Sequence, residues 1–401
     1  MNKTSIVTAT RSFEGWLAAQ IPVVRNDIAR KHAAMATDPF VFLRATFYRW
    51  AQVFPNLCSD LMQAPVVRAV CDLHVENYST WRDVEGRLIW GINDFDEAHQ
   101  MPYTIDLVRL GTSTKLAIRS TRLSIRVKDA CEVLLEGYRE ALSTGVKPIV
   151  LAEENIELAT IVSSKSRSPR AFWNKLDAQV DRRVRVTRDV RDVLLRHLPE
   201  PCVDCEFGSR VAGKGSLGRP RFVALGQWNG ARIAREAKRV VPSACVWAEL
   251  ERLDGQFAAS KDRSRKDQST HRKDSGESPS SDKQRERVSD TNQADRVIRS
   301  GRISLSGDPS VTLDGDWSVR RLAPDCSRVE FADLPSNANA EVLLRSMGRE
   351  AANVHMGTAG SARKILANLD RLPADWLSDA VKVMTRSVRE DHEAWKRHMQ
   401  R

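Results

Sequence analysis

Cys71-Asp72-Leu73-His74-Val75-Glu76-Asn77 and, after a short apolar hairpin, Ile92-Asn93-Asp94-Phe95-Asp96-Glu97-Ala98 form the stretch on which the fold turns. The segment leading into it, 65–71, is β-branched and apolar and reads as a strand. Trp81 to Ile92 reads as a hairpin that turns near Glu85-Gly86 and returns as Leu88-Ile89-Trp90-Gly91-Ile92. Working outward, apolar spacing predicts helices over 13–36, 40–62, 105–143 and 172–198. It also predicts strands broken by glycines over 208–240, a strand at 317–322, and helices from Ala340 to the end. The expected fold class is therefore α+β.

The decisive stretch has the pattern Asp-x4-Asn after one strand and Asp-Phe-Asp at the end of the next. Phosphoryl transfer needs groups at this spacing. One aspartate accepts or orients the nucleophile's proton, here Asp72. An asparagine five positions on turns back to hold a metal, here Asn77. A carboxylate on the neighbouring strand joins that metal to the β- and γ-phosphates, here Asp94, with Asp96 as a further ligand and Glu97 in reserve. Magnesium takes a few oxygen ligands and keeps its waters, so a small set suffices. His74 reads as a buried loop anchor. The bland alternative for the whole stretch is a pair of polar loop caps, since Asp and Asn are common in turns.

A second motif, Gly213-Lys214-Gly215-Ser216-Leu217-Gly218, is a full G-x-G-x-x-G. A dinucleotide site requires that motif to open a helix. Here it runs through Pro220 into Arg221-Phe222-Val223-Ala224-Leu225, a strand-forming run. The better reading is a glycine hairpin over phosphates, with Gly213, Lys214, Gly215, Ser216 and Gly218 bringing main-chain amides to anionic oxygens. A cation on the next strand, Arg235 or Lys238, would pair with those phosphates; its bland reading is a solvent-facing charge. In ordinary kinases the glycine loop precedes the catalytic loop. The reverse order here means either that one motif is accidental or that the lobes are circularly permuted, which chain connectivity permits.

Charge agrees with two opposed patches. The 401 residues carry 63 Lys and Arg against 52 Asp and Glu, a net charge of +11, with 41% hydrophobic residues. That is enough apolar material for a core and excludes a wholly disordered chain. Residues 161–200 and 201–240 each carry a net +5, nearly the whole excess, while 71–106 carries eight acids and two bases, a net −6. A general nucleic-acid coat would not set an acidic block beside a basic one.

No run approaches the roughly 18 apolar residues of a membrane span, and the first 16 residues lack a signal peptide's apolar run. Seven scattered cysteines fit reduced thiols in a cytoplasm. Cys202 and Cys205 form a lone CxxC without the second pair a zinc site needs. Residues 260–294, with eight serines, sixteen charges and only Val288 and Ala294 apolar, read as a disordered insertion. Arg44 is read either as a phosphate contact or as a helix-surface ion pair. Asp106 and Arg109 are one helical turn apart and are expected to pair with each other. Trp228 and Trp247 are expected in the core.

These motifs resemble the bacterial domain-of-unknown-function family 2252 and are similar, more distantly, to aminoglycoside phosphotransferases and other kinase-like proteins. Asp38 to Arg44 resembles the family's opening segment, with Ala45 for the usual glycine. Cys71 to Asn77, Asn93 to Glu97, Asp106 to Leu110 and Gly213 to Gly218 resemble its successive motifs, and Gly348 to His355 its C-terminal helix. Cys71 stands where glycine is usual, and Arg235-Glu236-Ala237 where the family has Lys-Glu-Ala. An Arg for Lys exchange at a phosphate clamp is not neutral.

The resemblance implies a protein-kinase-like, two-lobed fold, with Asp72 as base and Asn77 as metal ligand. The expected parts are an N-terminal helical segment (1–62), a catalytic-loop lobe (63–200), a glycine-loop β lobe (201–325) and C-terminal helices (326–401) packing on the catalytic lobe. The expected activity is an ATP- and Mg2+-dependent phosphotransferase acting on a small-molecule or protein acceptor, with no membrane partner. The alternatives are a catalytically inactive nucleotide-binding scaffold and a nucleic-acid-binding protein, for which no recognised module is present.

Overall fold

Pro22 divides the first expected helix. In the computed structural model, which describes residues 4–119, 124–151, 155–162, 168–254, 307–326 and 337–401, it separates α1 (Ile6–Gln20) from α2 (Arg25–Met35). Ser5 caps α1 by accepting from the Thr8 amide at 3.1 Å. Asp38 caps α3 (Pro39–Ala45) by accepting from Phe40 and Val41, with Pro39 in the first turn, where its missing N–H costs nothing. α4 (Phe47–Leu57) follows, so 40–62 is two helices and a 3-10 turn rather than one helix.

β1 (Val66–Ala69) pairs antiparallel with β4 (His99–Pro102), and β2 (Tyr78–Arg82) with β3 (Leu88–Ile92). The acid motifs leave the ends of β1 and β3. α5 (Thr104–Ile118) is almost wholly buried, and α6 (Val127–Thr144) packs along the C-terminal helix Asn337–Met356. Gly137 and Gly348 make that crossing possible: a Cβ on Gly348 would collide with the Leu134 carbonyl, and one on Gly137 with the Arg345 carbonyl.

A six-stranded antiparallel sheet runs β10 (Thr312–Asp314), β11 (Trp317–Arg321), β9 (Ala231–Arg239), β8 (Arg221–Trp228), β7 (Val203–Arg210) and β6 (Val180–Asp181). One face holds Ala224, Ala237 and Val319 against α9 (Arg188–Arg196). The other holds Val223, Leu225 and Ala234 against Leu176 of α8 (Pro169–Gln179). These two helices, which precede residue 200, thus pack on the sheet, and β6 interrupts the helix expected over 172–198. Residues 244–254 are helical and carry Cys245 and Trp247 into the main core.

The α+β class therefore holds, with helices more numerous than strands. Trp247 is buried as expected, but Trp228 ends β8 and is 38% exposed. Cys202 and Cys205 are joined as a disulfide rather than reduced, and the other five cysteines are free. The expected insertion at 260–294 lies outside the described residues. Among the described residues no helix is long and apolar enough to cross a membrane.

Candidate active site

Asp106, on the buried helix α5, fixes the first acid loop from beneath. Its carboxylate accepts from the main-chain amides of Val70 and Cys71, each at 2.7 Å. It also meets His355 Nε2 at 2.9 Å, and His355 Nδ1 meets the Tyr138 hydroxyl at 2.7 Å. The two amides are held so because Cys71 takes φ +67°, the left-handed conformation for which glycine is the natural choice. A side chain there costs about 1 kcal/mol, which the paired carboxylate offsets.

Asp72 follows directly and turns into the cleft. Arg109 donates to its Oδ1 through Nε at 2.9 Å and again through Nη2. The same guanidinium donates to the Leu43 carbonyl and lies over the rings of Phe47 and Trp50. The expected Asp106–Arg109 pair is thus replaced by two separate duties, Asp106 to the loop amides and Arg109 to Asp72. Burial pushes the Asp72 carboxyl up to about 7; Arg109 opposes this, and the carboxylates of Glu97 and Asp94 add to it.

Asn77 ties the two acid loops together. Its Nδ2 donates to the carbonyls of Asp94, at 3.1 Å, and Asp72, at 3.4 Å. That leaves Oδ1 as the end of the amide able to meet a cation. Asp94 and Asp96 follow β3 and face Lys238 from β9, whose Nζ lies 3.7 Å from Asp94 and pairs closely with Asp96. Arg219 pairs with Asp96 at 3.5 Å and closely with Glu97. Glu97 also accepts from the Ala244 amide at 2.7 Å, at the start of the helical segment 244–254.

The glycine loop joins β7 to β8 and descends on these acids. A Cβ on Gly215 would stand 3.0 Å from the Arg44 carbonyl and 3.5 Å from Asp72 Oδ2. Gly213 has φ +76°, and Ser216 Oγ accepts from Arg221 at 2.8 Å. Gly213, Lys214, Gly215 and Ser216 therefore line one cavity with Asp72, Asn77, Asp94 and Asp96. Its volume is about 50 Å³, room for a few waters.

Two expected contacts lie elsewhere. Gly218 closes the loop against α2, where its carbonyl accepts from Val24 at 2.9 Å and a Cβ would strike Ile28. Arg235 points away from the cleft, because alternate side chains of a strand face opposite sides. Its Nε donates to the His197 carbonyl at 2.7 Å, at the end of α9, while Glu236 and Lys238 face the acids. Arg44 pairs with Glu76, but from a buried position in the cavity wall rather than at a helix surface.

Behind Lys238, Glu236 is fully buried among three guanidiniums. Arg221 and Arg320 meet its Oε1 at 2.7 and 2.9 Å, and Arg210 meets Oε2 at 2.6 Å. Burial opposes its charge, yet Arg221, Arg320 and Arg210 hold its carboxyl well below the usual range. Sequence reasoning missed this cluster, as it missed Arg219 and the pairing of Arg109 with Asp72. The available signal was a charged residue inside a buried run, since such a group must find a partner.

A magnesium ion takes oxygen ligands and keeps several waters. Asn77 Oδ1 and the carboxylates of Asp94 and Asp96 are donors of that kind around one cavity. Among the described residues no group of three or more His, Cys, Asp and Glu side chains is disposed to hold a metal by itself. Phosphate oxygens and waters would have to complete the shell.

Residues 24–191 match the sequence model of a family described as an uncharacterized protein conserved in bacteria, DUF2252. The match takes in both acid motifs, Asp106 and Arg109, and ends before the glycine loop. No curated protein and no solved structure matches the chain. The likeness to the bacterial domain-of-unknown-function family 2252 thus rests on residues 24–191 of the chain.

Proposed function

We propose that this protein is a kinase-like phosphotransferase that uses ATP and magnesium, with its lobes in permuted order. One observation carries the reading: Gly213 to Ser216 and Asp72, Asn77, Asp94 and Asp96, far apart in the chain, line the same cavity. A glycine hairpin followed by a strand that bears Lys238 toward a pair of aspartates is the set of parts that phosphoryl transfer uses.

In this reading Asp72 receives the proton of the acceptor hydroxyl. The acceptor oxygen forms its bond to the γ-phosphorus as the bond to the β,γ-bridging oxygen breaks, and ADP leaves with that electron pair. Arg109 holds Oδ1, so Oδ2, the oxygen nearer Gly215, is the one to take the proton. Asn77, Asp94 and Asp96 would hold magnesium, which supplies charge neutralisation at the phosphates. Lys238 is the phosphate cation rather than Arg235. A nucleoside triphosphate exceeds 50 Å³, so binding requires the loop to lift, which Gly213 and Gly215 allow.

The pairing of Asp96 by both Lys238 and Arg219 favours a second reading, a nucleotide-binding protein without turnover. Both readings expect ATP or an unhydrolysable analogue to raise the melting temperature in a magnesium-dependent way. An unchanged melting temperature with either nucleotide contradicts both. A phosphoryl-transfer rate lowered about 10²- to 10⁴-fold in Asp72→Ala would select the first reading. A rate unchanged in both Asp72→Ala and Asp94→Asn would remove the assignment of these residues.

A further inference from the structure

Lys31 is the unusual cation of the cleft. It lies on α2, is 2% exposed, and lines the same cavity as Asp72. Among the described residues its ammonium makes no hydrogen bond and no ion pair; it rests over the rings of Phe13 and Tyr48, at 5.6 and 5.3 Å. Those rings stack on each other at 4.4 Å and leave the ammonium no path to bulk water on that side. The other buried cations around the cavity each have a carboxylate: Arg44 has Glu76, Arg219 has Asp96 and Glu97, and Arg109, behind the wall, has Asp72, whereas Lys214 of the glycine loop is exposed to water. Glu14, the acid with most influence on Lys31, is instead paired with His32 at 2.6 Å.

A buried ammonium without a counter-charge is costly, and a protein ordinarily pairs it or neutralises it. Burial holds the Lys31 ammonium down to about 8, so it is still charged at neutral pH. A charged, rigidly walled donor that opens onto a cavity is what an anion site requires.

We infer that Lys31 is the anion-recognising residue of an acceptor subsite, and that the acceptor is a small molecule carrying a phosphate or carboxylate near its reactive hydroxyl. The inference rests on reading Asp72 as the base. The aromatic wall of Phe13, Phe47 and Tyr48 would pack against the carbon skeleton, while the anionic group meets Lys31 and the hydroxyl meets Asp72. This subsite is distinct from the nucleotide's phosphates, which belong to the glycine loop and Lys238.

The test uses the full chain, with inorganic phosphate as probe in one arm and ATP with magnesium in the other, read as thermal shifts of wild type and Lys31→Met. The expected result is a phosphate-dependent rise in wild type that weakens about tenfold or more in Lys31→Met, with the ATP response preserved. A phosphate response equal in both proteins, or none in wild type, overturns the subsite. Loss of both responses in a folded Lys31→Met overturns it too, because Lys31 would then serve the nucleotide. Absence of an ATP response in wild type counts against the phosphotransferase reading and leaves the phosphate comparison to judge Lys31. Should Lys31→Met fail to fold, 13C-lysine NMR of wild type decides: phosphate must raise the titration midpoint of Lys31, and an unmoved midpoint overturns the assignment.

Discussion

Gly215 lies so close to Asp72 that a Cβ on it would stand 3.5 Å from the carboxylate Oδ2, although they are 143 positions apart in the chain. That approach joins two motifs read independently in the sequence into one cleft, and it sets a steric condition on the loop. Replacement by valine must displace the loop, because the nearest neighbour, the Arg44 carbonyl at 3.0 Å, is main chain and cannot swing aside. Gly215→Val should weaken ATP binding at least tenfold, about 1.4 kcal/mol, with a melting temperature within about 2 °C of wild type, since no packed core is touched. Calorimetric affinity and thermal melting together check this; unchanged affinity would mean that the loop does not meet the nucleotide.

The acid form of Asp72 cannot act as base. With its carboxyl pushed up to about 7 by burial, turnover should rise with pH through about 7 as the carboxylate forms, and fall about tenfold per unit below it. Asp72→Asn keeps an acceptor oxygen for Arg109 and should abolish this limb along with most of the rate. A flat profile between pH 5.5 and 8 in wild type would count against Asp72.

Glu350 provides a stability test separate from catalysis. It is fully buried on the helix Asn337–Met356, accepts from Asn353 at 3.0 Å and lies beside the Ile92 amide. Burial raises its carboxyl to about 7 against those hydrogen bonds. The folded state therefore holds a proton that the unfolded chain releases near its ordinary 4.5. The stabilisation is complete below about 4.5 and is lost as pH rises through 7, on the order of 3 kcal/mol in all. Asp72 contributes in the same direction. Denaturant titrations of Glu350→Gln should show a shallower fall over this window; an identical slope would contradict a buried neutral Glu350.

Glu236 is the single carboxylate among Arg210, Arg221 and Arg320. Removing it leaves three guanidiniums crowded without compensation. Glu236→Ala should lose about 3–5 kcal/mol of stability, and chemical denaturation measures it. A loss under 1 kcal/mol would show that these arginines find other partners.

Local chemistry made part of this legible. Asp-x4-Asn and Asp-Phe-Asp sit at strand ends in the sequence and in the fold, and Pro220 with the β-branched run after it correctly excluded a helix behind the glycines. What escaped depends on register and long-range approach. Arg235 and Lys238 look equivalent until β8 and β11 fix which face of β9 each takes. Asp106 and Arg109 share a helical face, yet their side chains diverge to Cys71 and Asp72. Lys31 reads as one more charge on an amphipathic helix, and only the rings of Phe13 and Tyr48, brought from other helices, reveal it as buried. Gly348 needed the α6 main chain beside it to explain why no side chain fits.

The most direct measurement of the central claim is isothermal titration of ATP, with and without magnesium, into wild type and Asp94→Asn. The account predicts one site per chain in wild type, tightened at least tenfold by magnesium, and no such tightening in Asp94→Asn. Absence of ATP binding at millimolar concentration in wild type, or a magnesium effect of the same size in Asp94→Asn, would contradict it.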